Sequence, residues 1–461
     1  MSALAATPLL AAVASMRAWS ATHRLLWWAI GLGVVARALV LLVYAPWSEP
    51  AQSALVLLDD AGVYHRLALC ILESHDFCQN TNRTPGYPVF VAAVYSLFGI
   101  QPWIVLALQI LVDALTIALT YAIGLWLFSP TVAAAAALLL AVDPTSLFTS
   151  SSLLTDSLFT LLFLASVALF LRGLASKSIG WALVAGLTLG ITTWIRPSAQ
   201  YLPILLSFAV LCRFGWAWPR RLCFAFAMTA AFALTISPWL YRNQHQFGAL
   251  ALATVKGETL LNWQAAFFLA WRDHKPVDEI RKQLALEVRQ AGWVDDGNPF
   301  VNSEVQERVA LRHISVQPLA YAAAMLRGIG FMYLNVGMDK IGRKLGLTDP
   351  EAPKVNLRNA PTLWVQIQQT WNERGAAQIA LAAALAGINL SQYVLALAGC
   401  VVAWRDRRYR WVGVFFMALV AYFTVTSGIS AEARYKMPVT PLYLMLAGLA
   451  VQAWLQQRQK R

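Results

Sequence analysis

Asp59-Asp60, Tyr64 and the run Arg83-Thr84-Pro85-Gly86-Tyr87-Pro88 form a polar cluster in an otherwise oily chain. A carboxylate there can take a proton from a hydroxyl, and a guanidinium nearby can hold a phosphate. One short loop therefore contains the parts for transferring a group from a phosphorylated lipid. Other ionisable residues lie at the edges of apolar runs: Asp143 and Asp156 around Pro144-Thr145-Ser146, Arg196-Pro197, Arg242 after Pro238-Trp239, and Arg434-Tyr435-Lys436 before Met437-Pro438. Arg434 offers the planar fork that fits phosphate oxygens. Arg37 and Asp113 fall inside apolar runs, where an ionisable side chain costs roughly 2.5 to 3.5 kcal/mol on insertion scales. They read as a structural pair across adjacent helices.

The elements that must position these groups are membrane helices. Of 461 residues, 59% are hydrophobic and 13% charged, a balance far from that of soluble domains. Apolar runs near 26–46, 103–128, 131–149, 153–172, 179–195, 198–212, 222–241, 377–404, 411–428 and 437–455 predict an all-α, polytopic bundle of about ten spans. The net charge of +13 is not a nucleic-acid signature, because the bases collect in short connections: Arg172 and Lys177, Arg213 to Arg221, Arg405 to Arg410, and Arg458 to Arg461. The positive-inside rule makes those connections cytoplasmic, in agreement with Arg17 and Arg24. Both termini are then inside, and the loop with Asp60 is outside. Residues 1–25 read as a cytoplasmic segment, and the first span as a retained anchor.

The chain divides into an N-terminal membrane module over 26–242, an external helical segment over 243–376 and a C-terminal membrane module over 377–461. The loop 47–102 predicts two helices lying on the membrane, near 60–74 and 88–98, with Pro85 and Pro88 breaking the backbone before the second. In the external segment Ile280, Leu284 and Val288 keep helical spacing ahead of a turn at Asp295-Asp296-Gly297-Asn298-Pro299. The stretch 314–337 reads as a surface or re-entrant helix. Cys70 and Cys78 share the external loop and can form a disulfide in an oxidising compartment. Neither has the spacing of a zinc site. No internal repeat or inverted symmetry accompanies the spans, which disfavours the alternative of a transporter or flippase for a lipid-linked sugar.

Four stretches carry a resemblance. Asp60-Ala61-Gly62-Val63-Tyr64, Arg83 through Pro88 with Phe98-Gly99, Leu154-Thr155-Asp156-Ser157-Leu158-Phe159, and Arg434-Tyr435 through Pro441 resemble, in order and topology, the GT-C superfamily of integral membrane glycosyltransferases. The likeness is to bacterial members related to protein mannosyltransferases and the lipid A aminoarabinose transferase. Pro238-Trp239 to Phe247-Gly248 looks like that family's span-seven exit. The resemblance implies that Asp60, four residues before Tyr64, is the general base, and that one sugar moves with inversion from a polyprenyl-phosphate donor. The acceptor it implies is lipid A, a glycan, another lipid or a protein, at the outer face of the bacterial inner membrane. Arg83 and Arg434 would meet the phosphate, with Arg242, Lys256 and Lys436 behind them. Asp59, Tyr64, Tyr87, Asp156 and Tyr435 are further substrate-binding candidates. Some members use a divalent metal ion, for which this sequence offers no diagnostic ligand set; no other cofactor is implied. Asn82, Arg83 and Thr84 depart from the acid and lysine of the aminoarabinose transferases, so the sugar is not carried over.

Overall fold

The computed structural model describes residues 7–48, 55–212, 215–348 and 374–460, with the single positions 365, 368 and 372. The part of the expected 243–376 segment beyond 348 lies, apart from those positions and 374–376, outside the described residues. The described chain is all helix, as its composition predicts. In order, α1 is Thr7–Tyr44, α2 Asp60–Ser74, α3 Gly86–Phe98, α4 Pro102–Leu127, α5 Pro130–Ala141, α6 Pro144–Thr149, α7 Asp156–Ser176, α8 Ile179–Ile195, α9 Leu202–Leu211 and α10 Trp218–Phe247. After these come α11 Val255–Glu258, a π-helical turn Thr259–Ala265, α12 Ala266–Asp273, α13 Val277–Gln290, α14 Pro299–Val316, α15 Pro318–Leu334 and α16 Met338–Lys344. The chain closes with α17 Ala376–Arg405, α18 Arg407–Ser427, a 3-10 turn Ala433–Val439 and α19 Thr440–Gln459.

Seven helical stretches among the described residues are long and apolar enough to cross a membrane: Arg24–Tyr44, Pro102–Leu127, Asp156–Ser176, Trp218–Phe247, Ala376–Arg405, Arg407–Ser427 and Ala433–Gln459. The other three expected crossings fall on shorter apolar helices, α5 of 12 residues, α8 of 17 and α9 of 10. Helix α8 keeps the expected bounds 179–195, and proline explains the shortening of the other two. Asp143-Pro144 splits the run 131–149 into α5 and α6, and Pro197 and Pro203 delay the start of α9, because a proline ring removes an amide donor and clashes with the preceding turn.

Small residues let the bundle close. A Cβ on Gly186 of α8 would collide with the Met228 carbonyl of α10, and one on Gly399 of α17 with the Leu446 carbonyl of α19. Such backbone contact replaces the hydrophobic driving force that helices lack in lipid. The first half of α19 is buried from Thr440 to Ala450, packed between α17 and α5. Arg37 of α1 and Asp113 of α4 pair at 2.9 Å, both nearly inaccessible, as expected for charges inside apolar helices.

A second buried cluster forms between α10 and α16, joined by Ile429 of the α18–α19 connection. Ile280, Leu284 and Val288 of α13 are buried together with Leu261, Phe268, Val305 and Val309. Asn298 caps α14 by accepting from the Phe300 amide at 3.0 Å, which fixes the turn that the Asp-Gly-Asn-Pro run predicts. Helix α15 covers most of the ambiguous stretch 314–337 and packs against the 3-10 turn Ala433–Val439.

Candidate active site

The chain direction brings three helix ends and two connections to one site. Helices α2 and α7 begin there, α8 ends there, and the connections α2–α3 and α18–α19 pass over it. Asp60 and Asp156 each open a helix, where the exposed amides favour an acid. Asp59, exposed at the start of α2, holds φ 56° and ψ −129°, a conformation sparsely populated by residues with a Cβ and concentrated at functional sites.

Arg83 is set by its own turn. Asn80 Oδ1 accepts from the amides of Asn82 and Arg83 at 3.1 and 3.2 Å, and Asn80 Nδ2 donates to the Arg83 carbonyl at 2.8 Å. Asn82 Nδ2 then donates to Glu258 at 2.8 Å, tying this turn to α11. Cys70 and Cys78 are joined, with Cα atoms 6.0 Å apart, and so close the stretch between α2 and that turn. Gly86 is required at the start of α3, because a Cβ there would lie 2.8 Å from the Trp194 carbonyl group of α8. Arg196 follows α8 in an extended conformation, φ −151° and ψ 124°, which the ring of Pro197 enforces on its predecessor. The linker that carries Arg434 is pinned by Gln264 of the π turn, which accepts from the Ile429 amide at 2.9 Å and donates to the Ser427 carbonyl at 3.3 Å. π turns of this kind recur at functional sites.

These supports converge on Asp60. Its Oδ1 accepts from Arg83 Nη2 and its Oδ2 from Arg434 Nη2, both at 2.8 Å. The carboxylate keeps 33% exposure, whereas the Asp156 side chain has none. Asp156 accepts from Arg196 Nη1 at 2.9 Å and lies 3.6 Å from Arg434 Nη1. Burial works to raise the Asp60 carboxyl, but the charges and hydrogen bonds of Arg434 and Arg83 outweigh it and hold the group below the ordinary 3.8. The guanidinium of Arg83 is perturbed the other way: burial opposes its charge, and Tyr64 and Asp60 more than compensate.

The aromatic candidates line the same cluster. Arg83 stands 6.0 Å from the Tyr64 ring, and Tyr64 meets Tyr87 edge-on at 4.9 Å. Tyr87 donates to Gln109 at 2.6 Å, and Gln109 is held by the carbonyls of Ser150 and Ser152. Tyr435 lies 4.6 Å from the guanidinium of Arg196 and 5.3 Å from that of Arg434.

The remaining candidates stand elsewhere. Arg242 is one step behind Arg83, donating to the Asn80 carbonyl at 3.0 Å and stacked against Trp239 and Phe247; its Nε and Nη2 are buried without a hydrogen-bond partner. Lys256 pairs with Glu307 at 2.6 Å. Lys436 is fully buried and donates to Tyr393 inside the bundle. Asp143 caps α6 through the Ser146 amide at 2.8 Å. Three participants were not legible as such: Arg196 as the partner of Asp156, Gln109 behind Tyr87, and Glu432, which accepts from Arg434 Nε at 2.8 Å. Among the described residues no group of three or more His, Cys, Asp or Glu is arranged to hold a metal ion, and both oxygens of Asp60 are engaged by guanidinium groups.

Residues 82–241 match the family model for dolichyl-phosphate-mannose-protein mannosyltransferase. No curated protein sequence matches the chain. The archaeal oligosaccharyltransferase AglB from Archaeoglobus fulgidus, solved in complex with an inhibitory peptide and a dolichol-phosphate, has a similar fold. Its TM-score is 0.50 at 14% identity, over 94% of this chain and 51% of that one. The apo form of the A. fulgidus oligosaccharyltransferase gives 0.50 at 13% identity, over 94% and 51%. ArnT from Cupriavidus metallidurans bound to undecaprenyl phosphate gives 0.39 at 15% identity, over 91% and 78%. The chain spans about half the length of the archaeal structures.

Proposed function

We propose, on the premise that this chain belongs to the GT-C superfamily of integral membrane glycosyltransferases, that it transfers one sugar from a polyprenyl-phosphate donor to an acceptor hydroxyl. The acceptor is lipid A, a glycan, another lipid or a protein, and the reaction takes place at the outer face of the bacterial inner membrane, with both termini cytoplasmic. The observation that carries this reading is a partly exposed carboxylate, Asp60, held between two guanidinium groups from sequence-distant segments at one end of a membrane bundle. The dolichol-phosphate in the complex of the archaeal relative supports a lipid phosphate as donor.

The acceptor oxygen attacks the anomeric carbon as the bond from that carbon to the phosphate oxygen breaks, so the configuration inverts. The acceptor proton passes to Asp60, and the electron pair leaves with the polyprenyl phosphate. Charge grows on the phosphate as it departs, and fixed cations nearby lower the barrier to that step. Arg83 and Arg434 are the cations of this reading, and the unpartnered Nε and Nη2 of Arg242 support a further contact. Tyr64, Tyr87, Asp59, Asp156 and Tyr435 shape the sugar and acceptor side.

The arginines also explain how a weakly basic carboxylate can serve. With both oxygens hydrogen-bonded and its carboxyl below the ordinary range, Asp60 is a poor base. A phosphate competes for the same guanidinium forks. Donor binding would draw them from Asp60 and leave an oxygen free for the acceptor proton, so the base is released only when there is a sugar to transfer. The test is Asp60→Asn, which removes the base without changing its size. Transfer should fall by about 10²- to 10⁴-fold, with the protein still assembled in the membrane and lipid-linked sugar accumulating by mass spectrometry. Normal transfer by that variant would overturn the mechanism.

A further inference from the structure

One carboxylate at the site has no part in the chemistry above. Glu432 Oε2 accepts from Arg434 Nε at 2.8 Å and lies 3.4 Å from Lys340 Nζ. Arg434 thus faces three acids with three nitrogens: Nε to Glu432, Nη2 to Asp60 at 2.8 Å and Nη1 toward Asp156 at 3.6 Å. The guanidinium is planar and rigid, so a partner that fixes Nε also fixes where both Nη atoms point. Lys340 is itself on a held element. At the other end of α16, the buried Lys344 donates to the Ser151 carbonyl at 2.8 Å, Ser151 Oγ at 3.0 Å and Ser152 Oγ at 2.6 Å. Lys340 is therefore a tethered cation competing with Arg434 for the same oxygen.

We infer that Glu432 is a positioning residue of the transfer reaction, its carboxylate shared between Arg434 and Lys340 so that Arg434 stays aimed at Asp60 yet does not grip phosphate too tightly. The inference rests on the sugar-transfer reading. Glu432 does two things to Arg434. It holds Nε, keeping the two Nη atoms turned toward Asp60 and Asp156 when a phosphate takes their place. Its negative charge also offsets part of the guanidinium's attraction, which lets the polyprenyl phosphate product leave. Lys340 modulates the second effect: the more of Glu432 it holds, the more of Arg434's charge remains for phosphate.

The two partners therefore predict opposite outcomes, which a merely structural role does not. The full-length protein in lipid nanodiscs is titrated with undecaprenyl phosphate, and transfer is followed in cells through the level of lipid-linked sugar. Glu432→Gln should tighten undecaprenyl phosphate binding by about fivefold while lowering transfer, and Lys340→Met should weaken binding by about twofold, the scale of partly exposed ion pairs. Glu432→Asp should recover part of the wild-type behaviour. Unchanged or weaker phosphate binding by Glu432→Gln would overturn the inference. Should Glu432→Gln fail to assemble, the exposed Lys340→Met decides the matter, and tighter or unchanged binding by it is equally fatal. The two readings fail separately. Normal transfer by Asp60→Asn removes the transfer mechanism itself, whereas an inactive Asp60→Asn beside wild-type phosphate binding in both Glu432→Gln and Lys340→Met removes this inference alone.

Discussion

Two acid–arginine groups in this molecule use the same chemistry to opposite ends. In the bundle, Arg37 spends every nitrogen: Nε on Asp113 at 2.9 Å, Nη1 on the carbonyls of Gly33 and Ala141 at 3.1 Å, Nη2 on Ser146 at 2.6 Å. Exposure there is 1% and 3%. At the helix ends, Asp60 is one-third exposed, Arg434 is divided among three acids, and the buried Asp156 Oδ2 has no hydrogen bond. The first group is satisfied and closed, and the second is shared and open. A buried pair whose valences are full can only hold helices together, whereas carboxylates and guanidinium groups in mutual excess can exchange partners with a ligand.

Breaking the closed pair should cost most in stability. Asp113→Asn leaves a buried guanidinium without its counter-charge, and a loss of about 3 to 5 kcal/mol is expected. Thermal melting in detergent reads it, and transfer per folded molecule should stay near wild type; a selective loss of transfer would erase the distinction drawn between the two groups. The open group should respond in pH behaviour instead. If Asp60 is the base proposed above, it must be ionised, and kcat/KM should fall as pH drops through its pKa, which Arg434 and Arg83 hold below 3.8 against burial. Any stability from its ion pairs is likewise present above 3.8 and lost as pH falls through the folded value. Arg83→Gln removes one of the two opposing charges, so the acid limb should move to higher pH. An unmoved limb would detach Arg83 from the base. The smallest effect belongs to Lys256→Gln. Lys256 is more than half exposed and paired with Glu307, so donor dependence should change by less than about twofold, and a large rise in donor KM would return it to the site.

Much of this was legible because it is periodic or punctuated. The helices at 60–74 and 88–98 follow from a polar loop interrupted by Pro85 and Pro88, and α2 and α3 occupy nearly those bounds. The pairing of Arg37 with Asp113 follows from the cost of leaving either alone in an apolar helix. The break at Asp143-Pro144 is hidden by long apolar runs on either side, whose hydropathy does not register a corner. Lys256 and Lys436 were candidates for their charge alone, and charge does not say where a side chain points: Lys436, two residues from Arg434 on a tight turn, faces Tyr393 instead. Arg196 could be seen at a span end, but its partner is 40 residues away and only tertiary packing selects it. Glu432 left a local signal, an acid two residues before Arg434 in the connection between α18 and α19, which is visible in retrospect.

The separation between Asp60 and its second arginine, 374 residues along the chain, has a consequence for the order of synthesis. A chain made from its N-terminus delivers Asp60 at the start of α2 and Arg434 only ahead of α19, so the carboxylate waits without that partner while every helix between them is made. On the sugar-transfer reading, a prematurely ended chain that stops before Arg434 lacks one of the two guanidinium groups that hold Asp60.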